Sequence, residues 1–338
     1  MKVLLLAGGD SSEKEVSLRS GAAIYDALKH LGHEVLAINP SGGHSLVGAD
    51  GKFMTALPPH VNPTSVQIAD TRAISTTFKA TDFGKAELVV IALHGGSGEN
   101  GTIQSLLDLS GVKYTGSGMA ASAIAMDKAI TKRLFVSEGI PTPRWEQYRW
   151  KSEADDPAIA ADILRKFDFP LIVKPNNSGS TVGLTKVKDE PNVIPAIHAC
   201  VKESPDILVE EFIPGRELTV SVIEGEALPL VEIVPKNELY DYEAKYTKGM
   251  SNYIAPAEVE PWLARGMQET AVKAFNVIGA SGLVRVDFIL SPENEYYCLE
   301  VNTLPGMTNL SLAPMAAKVA GMTFDDLVAR IVDSAMRK

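Results

Sequence analysis

Cysteine is almost missing from this chain of 338 residues: there are two, Cys200 and Cys298. They lie far apart in sequence, each in apolar surroundings, and read as buried thiols in a reducing compartment, which excludes a disulfide framework. No apolar run approaches the roughly 20 residues that a membrane-spanning helix needs. The opening stretch MKVLLLAGGDSSEKEVS sets a single lysine before a very short apolar run, then glycines and acids. It reads as a first β-strand, not as a secretory signal, and the cytoplasm is the expected location. Positive charge is also scarce: 32 basic residues face 42 acidic ones, for a net charge of −10, and no long basic run offsets it. That excludes a non-specific nucleic-acid binder. Neither G-x-G-x-x-G nor the Walker order occurs, which argues against a dinucleotide fingerprint and a P-loop. Repeats and low-complexity segments are absent too. What remains is 45% apolar and 22% charged, an ordinary globular composition with length for two or three domains.

The first hundred residues read as an open, parallel α/β unit. Val3–Leu6 is a buried strand running into Gly8-Gly9, and His33–Ile38 is a second strand. Between them Ser12-Glu13-Lys14-Glu15 has the form of a capping box, followed by an apolar stripe of Leu18, Ala22, Leu28 and Leu31. Residues 41–86 show no clear period. Leu88–Leu93 is another buried strand, and its carboxyl end leads into HGGSGENGT, where an open sheet places its ligand crevice. Met119–Gly139 has helical period, interrupted by Asp127 and Lys128. Strand Phe169–Lys174 ends on a lysine, and PNNSGSTVG then forms a flexible loop, able to wrap phosphates with backbone amides, before strand Val182–Val187. Strands Ile207–Phe212 and Leu218–Ile223 flank Ile213-Pro214-Gly215 and carry Glu210 and Glu217 near their edges, which by themselves read as outward-facing carboxylates. A helix from Trp262 to Gly279 has Pro261 at its start, and a helical tail spans Pro314–Met336.

The stretch from Leu283 to Ser311 carries the chemistry. Apolar runs Leu283–Leu290 and Tyr296–Val301 flank Pro292-Glu293-Asn294 and read as a hairpin. Alternation sets Arg285 and Asp287 on one face of the first strand, and Glu300 and Asn302 on one face of the second. Paired, they gather two carboxylates, an amide oxygen and a guanidinium on one surface. Clustered carboxylates repel unless something positive lies between them, and hard oxygen donors suit Mg²⁺.

Seven blocks together carry a family resemblance: EKEVSL, ALHGGSGENGT, YTGSGMAASAIAMDK, VKPNNSGSTVG, YDYEAKY, RVDF and LEVNTLPGMTNLSLAP. In this order, from Glu13 to Pro314, they resemble the D-alanine–D-alanine ligases of the ATP-grasp superfamily. Two blocks depart in detail: NNSGST replaces an Arg- or Glu-containing version, and Asn100 stands where Asp is usual. The resemblance implies a three-domain ATP-grasp architecture. An N-terminal open-sheet domain (1–116) would take the first substrate, a central lid domain (117–210) would follow, and a C-terminal catalytic and metal-binding domain (211–338) would complete it.

The resemblance also implies roles. Lys128, Lys174 and Lys245 would neutralise the ATP phosphates, Glu210 would accept from the adenine amine, and Glu217 would hold the ribose. Asp287, Glu300 and Asn302 would hold two Mg²⁺ ions, for which Mn²⁺ can substitute. Arg285 and the Gly306 amide would stabilise an oxyanion. Glu13, with His94 and Val16 nearby, would receive the first D-alanine, and Ser311 and Leu312 the second. Ser180 and Tyr246 would join Glu13 in closing a lid over an acyl phosphate that water would otherwise hydrolyse. The implied activity is ATP-dependent formation of D-alanyl-D-alanine for peptidoglycan precursor synthesis, in a homodimer whose partners are small molecules. The alternatives are an ATP-grasp ligase for another acid–amine or acid–hydroxyl pair, such as D-alanine with D-lactate, and a nucleotide-binding regulator that has lost catalysis.

Tyr246 separates the first two readings. In relatives resembling depsipeptide ligases a histidine stands at this position, and an imidazolium there repels the ammonium of D-alanine. A tyrosine, with a reference pKa of about 10, is uncharged from roughly pH 6 to 9. Competition between equimolar D-alanine and D-lactate should therefore give dipeptide with little depsipeptide across that range. Tyr246→His should shift the product toward D-lactate, most strongly at low pH. Dominant depsipeptide from the unmodified chain would sink the assignment.

Overall fold

A computed structural model describes residues 1–55, 86–179, 181–237, 250–308 and 310–338. Among them three sheets form, each from residues contiguous in sequence. The first contains β1 (Lys2–Leu6), β2 (Glu34–Asn39), β3 (His44–Ser45) and β4 (Leu88–Ile91), in the order β3-β2-β1-β4. β1 pairs in parallel with β2 and β4, and the short β3 closes one edge antiparallel. Side chains of β1 alternate between two cores. Val3 and Leu5 meet helix Lys14–His30 and the helices Leu312–Val319 and Phe324–Arg337, whereas Leu4 and Leu6 meet Ile103 and Leu107. The end of the chain thus packs on the sheet that begins it.

The second sheet is antiparallel, β5 (Trp145–Arg149), β6 (Leu171–Pro175), β7 (Thr185–Val187) and β8 (Asp206–Glu211), in the order β5-β8-β6-β7. Helices Asp156–Lys166 and Val193–Val201 supply Ile163 and Ile197 to its core. The third comprises β9 (Arg216–Ile223), β10 (Glu226–Ala227), β11 (Val231–Pro235), β12 (Ser251–Ile254), β13 (Leu283–Leu290) and β14 (Tyr296–Asn302). Its main path is β12-β11-β9-β13-β14. Helix Pro261–Val277 lays Leu263, Met267, Ala271, Ala274 and Phe275 on one face. The larger of these side chains each contribute roughly 1.5–3 kcal/mol by burial. The other face of β13 and β14 is left for charge.

The expected hairpin forms. Arg285 lies opposite Asn302 and Asp287 opposite Glu300, and a bulge between Asp287 and Phe288 brings Phe288 opposite Cys298. The bulge leaves Leu299 unpaired in the register, so Cys298 enters the core although Glu300 faces the other way. Both cysteines are free and buried.

Several expected elements differ in detail. The capping box is not made, because helix Lys14–His30 begins at Lys14 with Glu13 as its N-cap and no side-chain cap bond. The Ser11 hydroxyl instead donates to the His94 carbonyl and accepts the Glu13 amide at 3.1 Å, which pins the chain to the exit of β4. The expected helix Met119–Gly139 is two, Met119–Met126 and Lys128–Ser137. Asp127 adopts extended backbone between them and caps the second, accepting from the Ile130 amide at 2.9 Å. The tail is likewise two helices, parted near Gly321, whose φ of 84° is left-handed. β7 begins at Thr185, not at Val182.

Candidate active site

The three sheets leave a cleft of about 820 Å³. Its wall from the first unit carries Glu13, Val16, His94 and Glu99; the central loop contributes Ser178 and Gly179; the third sheet contributes Arg285, Glu300 and Asn302. Lys128, Gly306, Ser311 and Leu312 complete the set. Ten of the residues singled out in the sequence therefore line one space. Lys174, Glu210, Glu217 and Asp287 are not among its described lining residues, and Ser180, Lys245 and Tyr246 lie outside the described residues.

Charge in this cleft is held in pairs. The Arg285 guanidinium donates to both carboxylate oxygens of Asp287, at 2.7 and 2.8 Å, along one face of β13. Across the hairpin, Glu300 Oε2 lies 3.2 Å from Lys128 Nζ, which also donates to the Ser178 carbonyl at 2.8 Å. Lys128 is the first residue of its helix. A cation there opposes the helix dipole, and a bound anion beside it would offset that cost. The Gly/Ser loop is tied to the same point: Asn176, fully buried, accepts the Ala129 amide at 2.8 Å on its side chain and the Lys128 amide at 3.3 Å on its carbonyl.

The oxygen donors fit a hard divalent cation. Asp287 and Glu300 are opposed across the hairpin, where like charges repel, and Arg285 and Lys128 offset them. Asn302 Oδ1 accepts the Leu304 amide at 3.0 Å and keeps a second lone pair. Among the described residues no three His, Cys, Asp or Glu side chains are grouped to enclose a metal. Two carboxylates and an amide suit an ion that takes its remaining ligands from water and phosphate.

His94 is buried and committed to structure. Its Nδ1 lies 3.0 Å from the Leu304 carbonyl, which can only accept, so Nδ1 carries a proton, and Nε2 pairs with the Ser20 hydroxyl at 3.0 Å. Ser20 Oγ in turn accepts the Met307 amide at 3.2 Å. The imidazole thus fixes the loop bearing Gly306 against helix Lys14–His30. Glu99 Oε1 stands 3.8 Å from Nδ1. Burial, with the nearby Glu13 charge adding to it, pushes the Glu99 carboxyl above the usual carboxylate range. Ser311 precedes helix Leu312–Val319 and accepts the Thr308 amide at 3.0 Å, and both Ser311 and Leu312 line the cleft.

Lys174 and Glu210 meet elsewhere. Glu210 is opposite Ile172 in the register of β8 and β6, so Lys174, two residues along β6, shares its face. Lys174 Nζ is 2.7 Å from Glu210 Oε2, and Lys132 Nζ is 2.9 Å from Oε1. Glu210 is 3% exposed, so the reading of an outward-facing carboxylate is wrong for it. Burial alone would raise its carboxyl, but the two ammoniums outweigh burial and hold it below the usual range. Glu217, half-buried on β9, lies opposite Ile289 of β13. Sequence reasoning missed Lys132, Glu99 and Asn176. Each had a local signal: Lys132 is four residues beyond Lys128, Glu99 sits inside the glycine-rich block, and Asn176 opens the loop after Lys174.

Known proteins resemble the chain over its whole length. Residues 2–117 match the family model for the D-ala D-ala ligase N-terminus, and residues 134–333 match that for the D-ala D-ala ligase C-terminus. The D-alanine–D-alanine ligase of Gloeobacter violaceus is 41% identical over 99% of this chain and 100% of its own. That of Syntrophotalea carbinolica is 40% identical over 99% and 96%. Among solved structures, a D-alanine–D-alanine ligase from Bacillus anthracis complexed with ATP superposes with a TM-score of 0.78 at 29% identity, over 100% of this chain and 97% of that one. The VanG D-Ala:D-Ser ligase from Enterococcus faecalis gives the same TM-score at 26% identity, over 99% of both chains.

Glu300 tests the oxygen-donor set. Glu300→Gln is isosteric and should fold, but it removes charge a divalent ion needs, so ATP-dependent phosphate release should fall to background. Release at near the unmodified rate would show that Glu300 is not a metal ligand.

Proposed function

The chain belongs to the D-alanine–D-alanine ligase family, with the ATP-grasp fold, and from that premise we propose how its cleft joins two D-alanines at the cost of one ATP. The protein is an ATP-dependent, ADP-forming ligase whose product, D-alanyl-D-alanine, serves peptidoglycan synthesis. One observation carries the assignment of roles: Glu13, Lys128, Arg285, Glu300, Gly306 and Ser311 all line the same space.

A carboxylate is too poor an electrophile to meet an amine directly, so the reaction takes two steps. The carboxylate of the first D-alanine attacks the γ-phosphorus, the bond from that phosphorus to the bridging oxygen breaks, and ADP leaves. The amine of the second D-alanine then attacks the acyl-phosphate carbon, and phosphate departs with the C–O bond pair from a tetrahedral oxyanion. Glu13 holds the ammonium of the first substrate. Ser311 and Leu312, at their helix start, take the carboxylate of the second. Arg285 and the Gly306 amide donate where negative charge develops. Lys128, Lys174 and Lys245 take the phosphates, Glu210 the adenine amine and Glu217 the ribose. Asp287, Glu300 and Asn302 would hold two Mg²⁺ ions, or Mn²⁺, whose charge makes the phosphate chain transferable. Arg285 and Lys128 are paired with Asp287 and Glu300, and a metal held by those carboxylates would leave both cations to the substrate. Ser180 and Tyr246 close the lid with Glu13.

The proposal extends to the division at 116/117 and 210/211, which assigns a single sheet to each domain apart from the last residue of β8. It also extends to a homodimer acting in the cytoplasm on small molecules alone, where ATP and free D-alanine are at hand. Among the described residues no helix is long and apolar enough to cross a membrane.

Arg285 gives the direct test of the second step. Arg285→Lys keeps the charge and loses the planar fork, so ATP should still bind while transition-state stabilisation falls by about 2.7–4 kcal/mol, read in kcat. A raised KM for ATP at unchanged kcat would make Arg285 a phosphate clamp instead.

A further inference from the structure

Lys132 is a fully buried lysine that the mechanism above does not use. A lysine is almost never found so deep unless paired. It lies on helix Lys128–Ser137, four residues after Lys128 and on the same face, so one helix presents Lys128 to the cleft and Lys132 to the interior. Its Nζ donates to Thr142 Oγ1 at 2.6 Å and lies 2.9 Å from Glu210 Oε1. Thr142 belongs to the segment whose Pro141 carbonyl accepts the Cys298 amide at 2.7 Å, so Lys132 stands at the seam between the second and third sheets. Burial draws its ammonium below the ordinary lysine value, against the opposing pull of Glu210.

The two lysines on Glu210 are not equivalent. Lys174 is the last residue but one of β6, near the Gly/Ser loop, and takes a phosphate in the function proposed above. Lys132 has no route to phosphate, being enclosed by Glu210 and Thr142 with no exposed surface. Once Lys174 engages a nucleotide, Lys132 is the cation left to Glu210. Glu210 Oε1 lies 2.9 Å from that ammonium, and a carboxylate oxygen has a second lone pair able to accept.

We propose that Lys132 is a positioning residue, the fixed counterion that holds Glu210 as an anionic acceptor aimed at the nucleotide base and thereby sets selectivity for adenine over guanine. This rests on the reading of Glu210 as the acceptor for the adenine amine. An anionic carboxylate accepts from the exocyclic N–H of adenine and repels the carbonyl oxygen that guanine carries at the same place. A neutral carboxyl can turn a proton toward that oxygen and loses the distinction. Without Lys132, a buried Glu210 whose Lys174 is engaged by phosphate takes up a proton instead of remaining an uncompensated charge.

The test compares kcat and KM for ATP and GTP at saturating D-alanine in Lys132→Gln, Lys132→Met and Glu210→Gln, each checked for folding by circular dichroism and melting. In both Lys132 variants the ATP-over-GTP ratio of kcat/KM should fall roughly tenfold or more, carried by KM for ATP with kcat largely kept. Glu210→Gln should lose the same selectivity. Selectivity lost in Glu210→Gln but kept in a folded Lys132 variant overturns the proposal, because Lys132 is then only structural. Selectivity kept in Glu210→Gln overturns the reading of Glu210 itself. Should neither Lys132 variant fold, ¹³C-carboxyl NMR of the unmodified protein with a bound non-hydrolysable ATP analogue decides. The resonance missing in Glu210→Gln should lie in the ionised range, and a protonated shift overturns the proposal.

Discussion

Asp287 and Glu300 face each other across a β-hairpin with their carboxylates on one side, an arrangement that repels unless cations intervene. Here the cations are Arg285, which holds Asp287 bidentately, and Lys128, which holds Glu300. The same logic recurs at Glu210, held between Lys132 and Lys174. Each of these anions is thus held against at least one cation. A divalent metal and a nucleotide phosphate are species whose charges could take over the two halves of such a pair.

The fold sets the Arg285 and Lys128 pairs on the cleft and the Glu210 cluster on the second sheet. Apolar residues of β13 and β14 anchor the hairpin on helix Pro261–Val277, so its polar face is free for the cleft. The break at Asp127 lets a new helix start with Lys128 beside Asn176 and the Gly/Ser loop. Through Ser20 and Leu304, His94 ties the Gly306 loop to the first helix, so the cleft walls bearing Gly306 and Glu13 share one frame.

The hairpin was legible because strand alternation has a period of two, and apolar residues on one side left Arg285, Asp287, Glu300 and Asn302 on the other. The parallel opening sheet was legible for a similar reason, as β1, β2 and β4 are short apolar runs separated by helix signals. Other features depend on contacts that local pattern does not carry. Ser11 binds the His94 carbonyl 83 residues away, and this tertiary bond replaced the expected capping box. Treating Met119–Gly139 as one helix hid the phase of Lys132, whose partner Glu210 comes from a different strand. Glu210 looked like a surface carboxylate because nothing local reveals two lysines converging on it. Ser180, Lys245 and Tyr246 rest on family resemblance alone, since they lie outside the described residues.

The central claim is that these charge pairs serve the ligation of two D-alanines. Incubating the unmodified protein with ATP, Mg²⁺ and a panel of single D- and L-amino acids, while reading phosphate release and product mass, tests it most directly. The account predicts that D-alanine alone supports rapid release, with one ADP and one phosphate formed for each D-alanyl-D-alanine. Phosphate release without dipeptide, or a dominant product from another amino acid, would contradict it.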